Sequence, residues 1–284
     1  DAHVHISATD FLGGAHYGNP FHRFGVAHAL GDCKERHGED GRQDLVGNLY
    51  ATDPLASHDT QGWPTFVSWP AAHALTHEGM YYKWVERAWK AGLRIMVNEL
   101  VENEVLCTLN STLKGRAPRC NEMDSATSQV QTMRDLQDYI DAQYGGRGKG
   151  WFRIVLSPQE ARSVIEQGKL ALVIGIEISN LLDCKVKYNP LRQQEPFQET
   201  GTGETENSYT CTEASVKEQI ARLVRIGGKV KVGEQKLPFA QTLAFDGLRF
   251  LDLHDHVGNG KHLFRRGHDL GTGRLIIRIR KSRA

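Results

Sequence analysis

The apolar run LALVIGIEI at residues 170–178 constrains the fold of this chain more than any other segment. Continuous runs of branched apolar residues are typical of strands that are covered on both faces, as in parallel sheets flanked by helices. The helical pattern before the run ends at Gly168, which predicts a tight connection from helix to strand. The run therefore predicts a buried strand in an α/β protein.

Strands and helices alternate on both sides of this run. We predict strands over 1–6, 93–100, 151–157 and 170–178, and helices over 78–91, 121–144, 158–168 and 213–226. Such alternation indicates a parallel sheet with right-handed crossovers. A (β/α)8 TIM-barrel-like fold that is incomplete at its C-terminus and an open doubly wound sheet both fit. No glycine-rich phosphate loop follows a predicted strand, which disfavours a nucleotide-binding sheet.

Two parts of the chain lack this alternation. Residues 7–76 form a long insertion loop rich in Gly, His, Asp and Pro, whose tryptophans and histidines favour an ordered, site-building loop. Residues 228–284 keep weak strand patterns only at 242–253 and 273–281. We therefore predict a barrel domain over 1–227 and a divergent or poorly folded segment over 228–284. A truncation or an out-of-frame translation would also produce such a segment.

The charge is distributed unevenly. The net charge of the 284 residues is +1, but residues 261–284 carry +7, which leaves −6 for residues 1–260. Near-neutrality argues against a dedicated nucleic-acid-binding protein. No apolar stretch reaches the roughly 18 residues of a membrane span. The sequence starts without Met or a signal peptide, as a fragment or an exported mature chain would.

The cysteines predict two disulfides. Cys107 and Cys120 bracket one polar loop, and Cys184 and Cys211 bracket a longer one, which leaves Cys33 over. Cysteine pairs that close polar loops suit an oxidising compartment, and they favour a secreted or periplasmic protein. Reduced thiols are the alternative. Metal-binding thiols usually show CxxC spacing, and the sequence has none.

The motif DAHVH at residues 1–5 is the most specific chemical signal. In a strand, residues two apart share a face, so His3 and His5 point the same way as Asp1 and are able to bind one divalent metal. Glu177 lies at the C-terminal end of the apolar run, where barrel enzymes place their sites. A carboxylate buried there needs a cation or hydrogen bonds. The alternatives are an ordinary pair of strand histidines and a glutamate that emerges into a solvated loop.

These residues also carry a resemblance to known proteins. DAHVH is similar to the opening metal motif of the amidohydrolase superfamily. EQGKLALVIGIE (166–177) resembles the membrane dipeptidase family, and the blocks at 77–98 and 150–177 are similar to secreted bacterial relatives of that family. Over residues 1–227 the resemblance implies a (β/α)8 hydrolase of amide or peptide bonds that uses one or two zinc ions. It carries over His3, His5 and Glu177 as metal ligands.

The chain departs from the family pattern in its histidines. Members of the dipeptidase family open with His-x-Asp, whereas this chain has His-x-His, and none of its thirteen histidines lies between residues 78 and 253. Further candidates for the site are His16, His22, His28, His37, Trp63, Trp69, Trp84, Glu99, Glu102, Glu104 and the run His254, Asp255, His256. We interpret these histidines as solvated and the tryptophans as packed in the core or in loops. We interpret the three glutamates as a solvated acidic patch and residues 254–256 as an exposed loop.

The sequence thus predicts a metal-dependent hydrolase that acts on a small-molecule or peptide substrate. No residue is assigned as its general acid or base. One alternative is a non-catalytic or truncated secreted barrel protein without a complete metal site, which the missing downstream histidines favour. The other is a metal-dependent phosphoesterase, because His-x-His motifs also open such sites.

Overall fold

A computed structural model of the chain describes residues 1–53, 55–69, 71, 74–77, 81–115, 117, 119–187, 208–225, 265–268 and 275–278. The chain divides into two compact units, Asp1–Ser179 and Asn180–Ala284. The predicted domain boundary between residues 227 and 228 lies outside the described residues.

The first unit alternates helices and strands after a series of short helical turns. Its elements are a 3-10 turn at Ala8–Asp10, α1 (Phe11–Gly14), α2 (Val26–Ala29), α3 (Lys34–His37), α4 (Leu45–Tyr50), α5 (Tyr82–Lys90), β1 (Ile95–Glu102), α6 (Glu104–Leu113), α7 (Glu122–Gln143), β2 (Phe152–Ile154), α8 (Pro158–Glu166) and β3 (Leu170–Ile178). The predicted strand at 170–178 and the predicted helices at 121–144 and 158–168 are confirmed. The strand predicted at 93–100 is β1.

Local sequence signals explain where the helices begin. The Ser157 hydroxyl accepts a hydrogen bond from the Glu160 amide at 3.1 Å, with proline in the first turn of α8. Asn121 caps α7 in the same way through the Asp124 amide at 2.8 Å. Asn103 caps α6, a helix in the segment that the sequence predicts as a polar loop. The segment that the Cys107–Cys120 disulfide closes therefore also contains part of a helix.

The strands of the first unit form an open parallel sheet in the order β1-β3-β2. β1 and β3 pair along their length, from Ile95 opposite Ala171 to Glu102 opposite Ile178, so no space remains between them for β2. β2 instead pairs with the beginning of β3, on its other edge. The described residues therefore form a mixed α/β unit with a small open parallel sheet, which confirms the predicted α/β class, and they do not form a complete (β/α)8 barrel.

The N-terminal segment lies along the free edge of β1. Val4 forms an isolated parallel bridge with Asn98, so the strand predicted over 1–6 is reduced to this bridge. The Val4 amide donates to the Val97 carbonyl at 3.0 Å, and the Glu99 amide donates to the Val4 carbonyl at 2.8 Å. The segment therefore has a fixed register on the sheet.

A buried polar network fixes the same segment from the side of α7. The Asn98 side chain donates to the Ser7 hydroxyl at 2.9 Å, and that hydroxyl donates to the Gln129 side chain at 3.1 Å. Gln129 also bonds both backbone groups of Val101 on β1. Because buried polar groups are costly when unpaired, this network specifies one position for the chain that follows His5.

The predicted insertion loop at 7–76 folds into α1 to α4 with irregular connections over its described residues. Asp44 caps α4 by accepting a hydrogen bond from the Gly47 amide at 3.0 Å. The predicted Cys107–Cys120 disulfide is present, and its sulfurs pack with Leu12 and Ala15 of the loop region in one apolar cluster. The disulfide thus anchors the loop region to α6.

The second unit contains smaller elements. These are a 3-10 turn at Leu181–Asp183, the antiparallel pair β4 (Val186–Lys187) and β5 (Ser208–Tyr209), α9 (Glu213–Arg225) and the antiparallel pair β6 (Arg265–His268) and β7 (Leu275–Arg278). α9 confirms the helix predicted at 213–226, and β7 lies within the strand predicted at 273–281. The Cys184–Cys211 disulfide is present as predicted. The predicted strand at 242–253 lies outside the described residues.

Within the described part of the chain, no helix combines the length and the apolar character needed to cross a bilayer.

Candidate metal centres

The structure brings His3, His5 and Glu177 together at the C-terminal end of the sheet. We call these three residues the open triad. The two Nε2 atoms of the histidines lie 3.0 Å apart, and the Glu177 Oε2 atom lies 3.2 Å from His3 and 3.4 Å from His5. Ligands bound to one tetrahedral zinc at about 2.0–2.1 Å lie about 3.3–3.4 Å from each other. The triad therefore has the dimensions of three ligands around one ion.

The His5 ring is oriented by a hydrogen bond on its far side. Its Nδ1 atom lies 2.9 Å from the backbone carbonyl oxygen of Glu99. A carbonyl only accepts hydrogen bonds, so Nδ1 must donate, and in the neutral ring the Nε2 atom then carries a lone pair. Histidine ligands of metals are commonly oriented in this way.

The convergence of acceptors favours a cation at the centre of the triad. A neutral His5 presents a lone pair toward the Glu177 carboxylate, which is itself an acceptor. Two acceptors at 3.4 Å repel each other unless a proton or a metal ion lies between them. The donor set of two imidazoles and one carboxylate matches the three protein ligands of catalytic zinc sites. The residues present therefore fit a divalent metal.

The triad is accessible from solvent. The side chains of His3, His5 and Glu177 are 52%, 34% and 55% exposed. Asp1, which was expected on the same face, accepts a hydrogen bond from the His3 amide through its Oδ1 atom at 3.3 Å. A site with three protein ligands and open access has room for a water molecule or a substrate.

Glu99 adds a buried carboxyl group next to the triad. It is fully buried, and neither of its carboxyl oxygens has a hydrogen-bond partner among the described residues. Burial, with a further contribution from the negative charge of Glu177, raises the pKa of Glu99 to about 7. Glu102 is also buried, so the predicted solvated acidic patch is wrong for both residues.

A second group of ligand-type side chains lies in the insertion loop. Cys33, His37, His58 and His77, which we call the buried cluster, each offer one ligand atom, and these atoms all lie within 4.8 Å of one another. The Cys33 Sγ atom is 3.3 Å from the His58 Nε2 atom. This group is able to hold a metal ion, and its side chains differ from those of the triad in being largely buried.

Backbone structure explains how Cys33 and His37 come together. Cys33 precedes α3 and His37 ends it, and the His37 amide donates to the Cys33 carbonyl at 2.9 Å. Residues four apart share one face of a helical turn. The Cys-x-x-x-His spacing is thus visible in the sequence, but it differs from the CxxC spacing that is typical of metal-binding thiols.

Burial keeps the imidazoles of the cluster neutral. It lowers the pKa of His77 to about 2, with further contributions from His37 and His58. Burial also lowers the pKa of His37 and His58, although the Asp44 carboxylate opposes this effect. Neutral imidazole is the form that binds metals. The prediction that His37 is solvated is wrong, because its side chain is fully buried.

The other candidates that the structure describes belong to neither group. His22 stacks on His28 at 5.1 Å between ring centroids, and His28 is exposed. Trp63 and Trp84 contact neighbouring aromatic rings, in agreement with a packing role. His254, Asp255 and His256 lie outside the described residues. Glu104 lies in the first turn of α6. Trp69 stacks on His77 and thus packs against the buried cluster.

Comparison with protein-family models, with curated proteins and with solved structures finds no match to this chain. The interpretation of the two groups therefore rests on their own geometry.

Proposed function

We propose that this protein is a metal-dependent hydrolase of amide or peptide bonds, with a dipeptidase-like reaction and with His3, His5 and Glu177 as its metal ligands. The observation that carries the proposal is the mutual approach of the three ligand atoms to 3.0–3.4 Å at a solvent-accessible edge of the sheet. One zinc ion, or two with Glu177 as the bridge, is the cofactor we propose.

The roles of the residues follow from their contacts. When bound, a divalent metal would polarise a substrate carbonyl and acidify a water molecule. His3 and His5 would hold the ion through Nε2, and the Glu99 carbonyl keeps the His5 ring in the orientation that this requires. Glu177 supplies the negative charge that balances the cation. The exposure of all three side chains lets a small peptide reach the site.

The absence of histidines between residues 78 and 253 does not argue against this proposal. Catalytic zinc sites often have three protein ligands, two histidines and one glutamate among them, and keep the fourth position for water or substrate. The open triad provides that set. The two disulfides agree with an oxidising compartment, and we propose that the protein is secreted or periplasmic.

The test is metal content and hydrolysis in matched variants. We expect His3→Ala and Glu177→Gln to lose at least one equivalent of zinc per chain relative to the unmodified protein. Their rate of dipeptide hydrolysis should fall by at least about 100-fold, because metal activation of water is lost. His28→Ala and Glu166→Gln, which change exposed side chains of the same types, should leave both quantities unchanged.

Other results would redirect the proposal. Unchanged zinc content in both variants would overturn the ligand assignment. Zinc that depends on the triad, together with hydrolysis of phosphate esters but not of dipeptides, would instead identify a phosphoesterase. Triad-dependent zinc without either activity would leave a non-catalytic metal-binding protein.

A further inference from the structure

We infer that Cys33, His37, His58 and His77 form a second metal site, a structural one that takes zinc or a metal of similar ligand preference. The inference is independent of the proposed hydrolase activity. One thiolate and three imidazoles are ligands that zinc prefers, and tetrahedral sites made only from such side chains are structural. In a tetrahedral zinc site a sulfur and a nitrogen ligand lie about 3.5 Å apart. The Cys33 Sγ atom and the His58 Nε2 atom are already at 3.3 Å.

The rings of the cluster converge from different directions. Their centroids lie 4.7 Å apart for His37 and His77, 4.8 Å for His58 and His77, and 5.5 Å for His37 and His58. The three interplanar angles are 79°, 83° and 83°. Mutually perpendicular rings are poorly placed to stack. The ligand atoms of the three rings nevertheless all lie within 4.8 Å of one another.

Unpaired nitrogen atoms point to a missing partner. His77 is 7% exposed, and neither of its ring nitrogens has a hydrogen-bond partner within the described residues. The Nδ1 atom of the fully buried His37 likewise has no such partner in the described part of the chain. Buried polar atoms in native proteins are almost always paired. A metal ion would satisfy Nδ1 of His37 and one of the two ring nitrogens of His77 at once.

The surroundings orient these rings as a metal site requires. The His37 Nε2 atom lies 2.8 Å from the Ala15 carbonyl, which it must donate to, so its Nδ1 atom carries the lone pair. The Asp44 carboxylate lies 3.8 Å from the same Nε2 atom and accepts a hydrogen bond from the Thr76 hydroxyl. Such carbonyl and carboxylate partners are the usual second layer around histidine ligands.

Aromatic packing fixes the other two histidines. The Trp69 ring is buried and stacks on His77 at 4.7 Å between centroids. The His58 ring lies so close to Gly41 that any Cβ at that position would overlap it. These two contacts therefore limit the positions that the His77 and His58 rings can take.

Burial separates this site from a catalytic one. Cys33 and His37 are fully buried, so a substrate could not approach the thiol. This argues against a cysteine nucleophile activated by His58, despite their close contact. Four protein ligands also leave a tetrahedral metal without a free position. We conclude that the metal acts as a cross-link.

The cross-link would reinforce contacts between segments that are far apart in the sequence, since Asp32 forms an isolated antiparallel bridge with Gln61 and the Cys33 amide donates to the Thr60 carbonyl at 3.0 Å. Cys33 and His37 belong to one helical turn, whereas His58 and His77 lie in irregular chain. A metal shared by these residues would add a constraint to loops that isolated backbone contacts close. When Sγ binds the metal, the thiol proton passes to solvent.

The first test is a cobalt(II) titration of the full-length, chelator-treated protein with its disulfides intact. Cys33 is the single free cysteine of the chain, since the other four form disulfides. A thiolate-to-cobalt charge-transfer band in the near ultraviolet therefore reports this site, because the open triad contains no sulfur. We expect the band to saturate at one equivalent per chain and to disappear when zinc is added.

Variants then identify the ligands. His58→Ala and His77→Ala should each weaken cobalt binding, followed by the charge-transfer band, at least about tenfold, while His3→Ala and His28→Ala should not change it. The absence of the band in the unmodified chain would overturn the inference, whether or not the variants fold. A band that is insensitive to both histidine substitutions would also overturn it, because Cys33 alone would then be the ligand.

Limited proteolysis tests the structural role directly. Removal of the metal should accelerate trypsin cleavage after the exposed Arg42 by at least about tenfold, because the surrounding loops then open more readily. Cleavage after Arg162, which is exposed on α8, is the internal control and should not change. Equal rates after Arg42 with and without metal would contradict the cross-linking role.

Discussion

The open triad and the buried cluster use similar side chains in opposite environments. The triad has three ligands whose side chains are between 34% and 55% exposed. The cluster has four ligands, of which Cys33 and His37 are fully buried. An open set with a vacant position suits catalysis, and a closed set suits structure. Exposure and ligand number, more than the identity of the side chains, thus separate the two proposed roles.

The two groups also differ in how the fold supports them. The triad is attached to the edge of a regular parallel sheet, where Val4 and β3 set the positions of its members. The cluster lies in a region of short helical turns. A ligand group on a sheet does not need its metal to hold the chain together, whereas a group in an irregular region has few other constraints. The predictions below test this difference.

The largest expected effect is on stability. His77→Ala should remove most of the stabilisation that zinc confers, about 3 kcal/mol or more in the free energy of unfolding, because metal binding to a closed site is part of the folding free energy. His3→Ala should change the stability of the zinc-loaded chain by less than about 1 kcal/mol. The measurement is urea unfolding of both variants with zinc and with chelator. Equal losses of zinc-dependent stability in the two variants would show that the triad stabilises the fold as much as the cluster does.

A smaller effect is expected from a matched pair of glycines. Gly41 has φ +75° and its added Cβ would overlap the His58 ring, whereas Gly168 has φ +72° and no atom within 4 Å of such a Cβ. Gly41→Ala and Gly168→Ala should share a strain cost of about 1–2 kcal/mol. Only Gly41→Ala should also weaken cobalt binding at Cys33. Unchanged cobalt affinity in Gly41→Ala would show that the position of the His58 ring is unimportant for the site.

The smallest effect is a dependence of stability on pH, which has one sign for His16 and the opposite sign for Glu102. Burial lowers the pKa of His16 to about 4, whereas its value in the unfolded chain is about 6.5. Between these two pH values the unfolded chain binds more protons than the folded chain. The stability of the fold therefore falls as the pH drops from 6.5 to 4. Burial raises the pKa of Glu102 to about 7, so its contribution to stability is lost as the pH rises from about 4.5 to 7. His16→Gln should therefore reduce the loss of stability at low pH, and Glu102→Gln should reduce the loss near pH 7, by about 1 kcal/mol each.

Unfolding midpoints measured from pH 4 to pH 8 check both substitutions against the unmodified chain. Glu166→Gln on the exposed side of α8 is the control. A loss of stability below pH 6.5 that is unchanged in His16→Gln, or a loss between pH 4.5 and 7 that is unchanged in Glu102→Gln, would contradict the assignment of these two buried groups.

Local patterns in the sequence determined much of this protein. Ser157 and Pro158 specify the start of α8, and the apolar run specifies β3, because caps and periodicity act over a few residues. The Cys107–Cys120 and Cys184–Cys211 pairs were also predictable, since each closes a polar loop. The shared face of His3 and His5 follows from the two-residue repeat of an extended chain.

Tertiary structure decided what no local pattern contains. The place of β2 at the outer edge of β3 depends on which strands pair over their full length, and strand spacing along the chain does not specify that. The burial of Glu99 depends on its position opposite Gly175 on the neighbouring strand. His58 and His77 reach Cys33 only through irregular chain, where neither a helical nor a strand period relates sequence position to direction. Long-range packing, which depends on all of these segments at once, therefore determined the buried cluster.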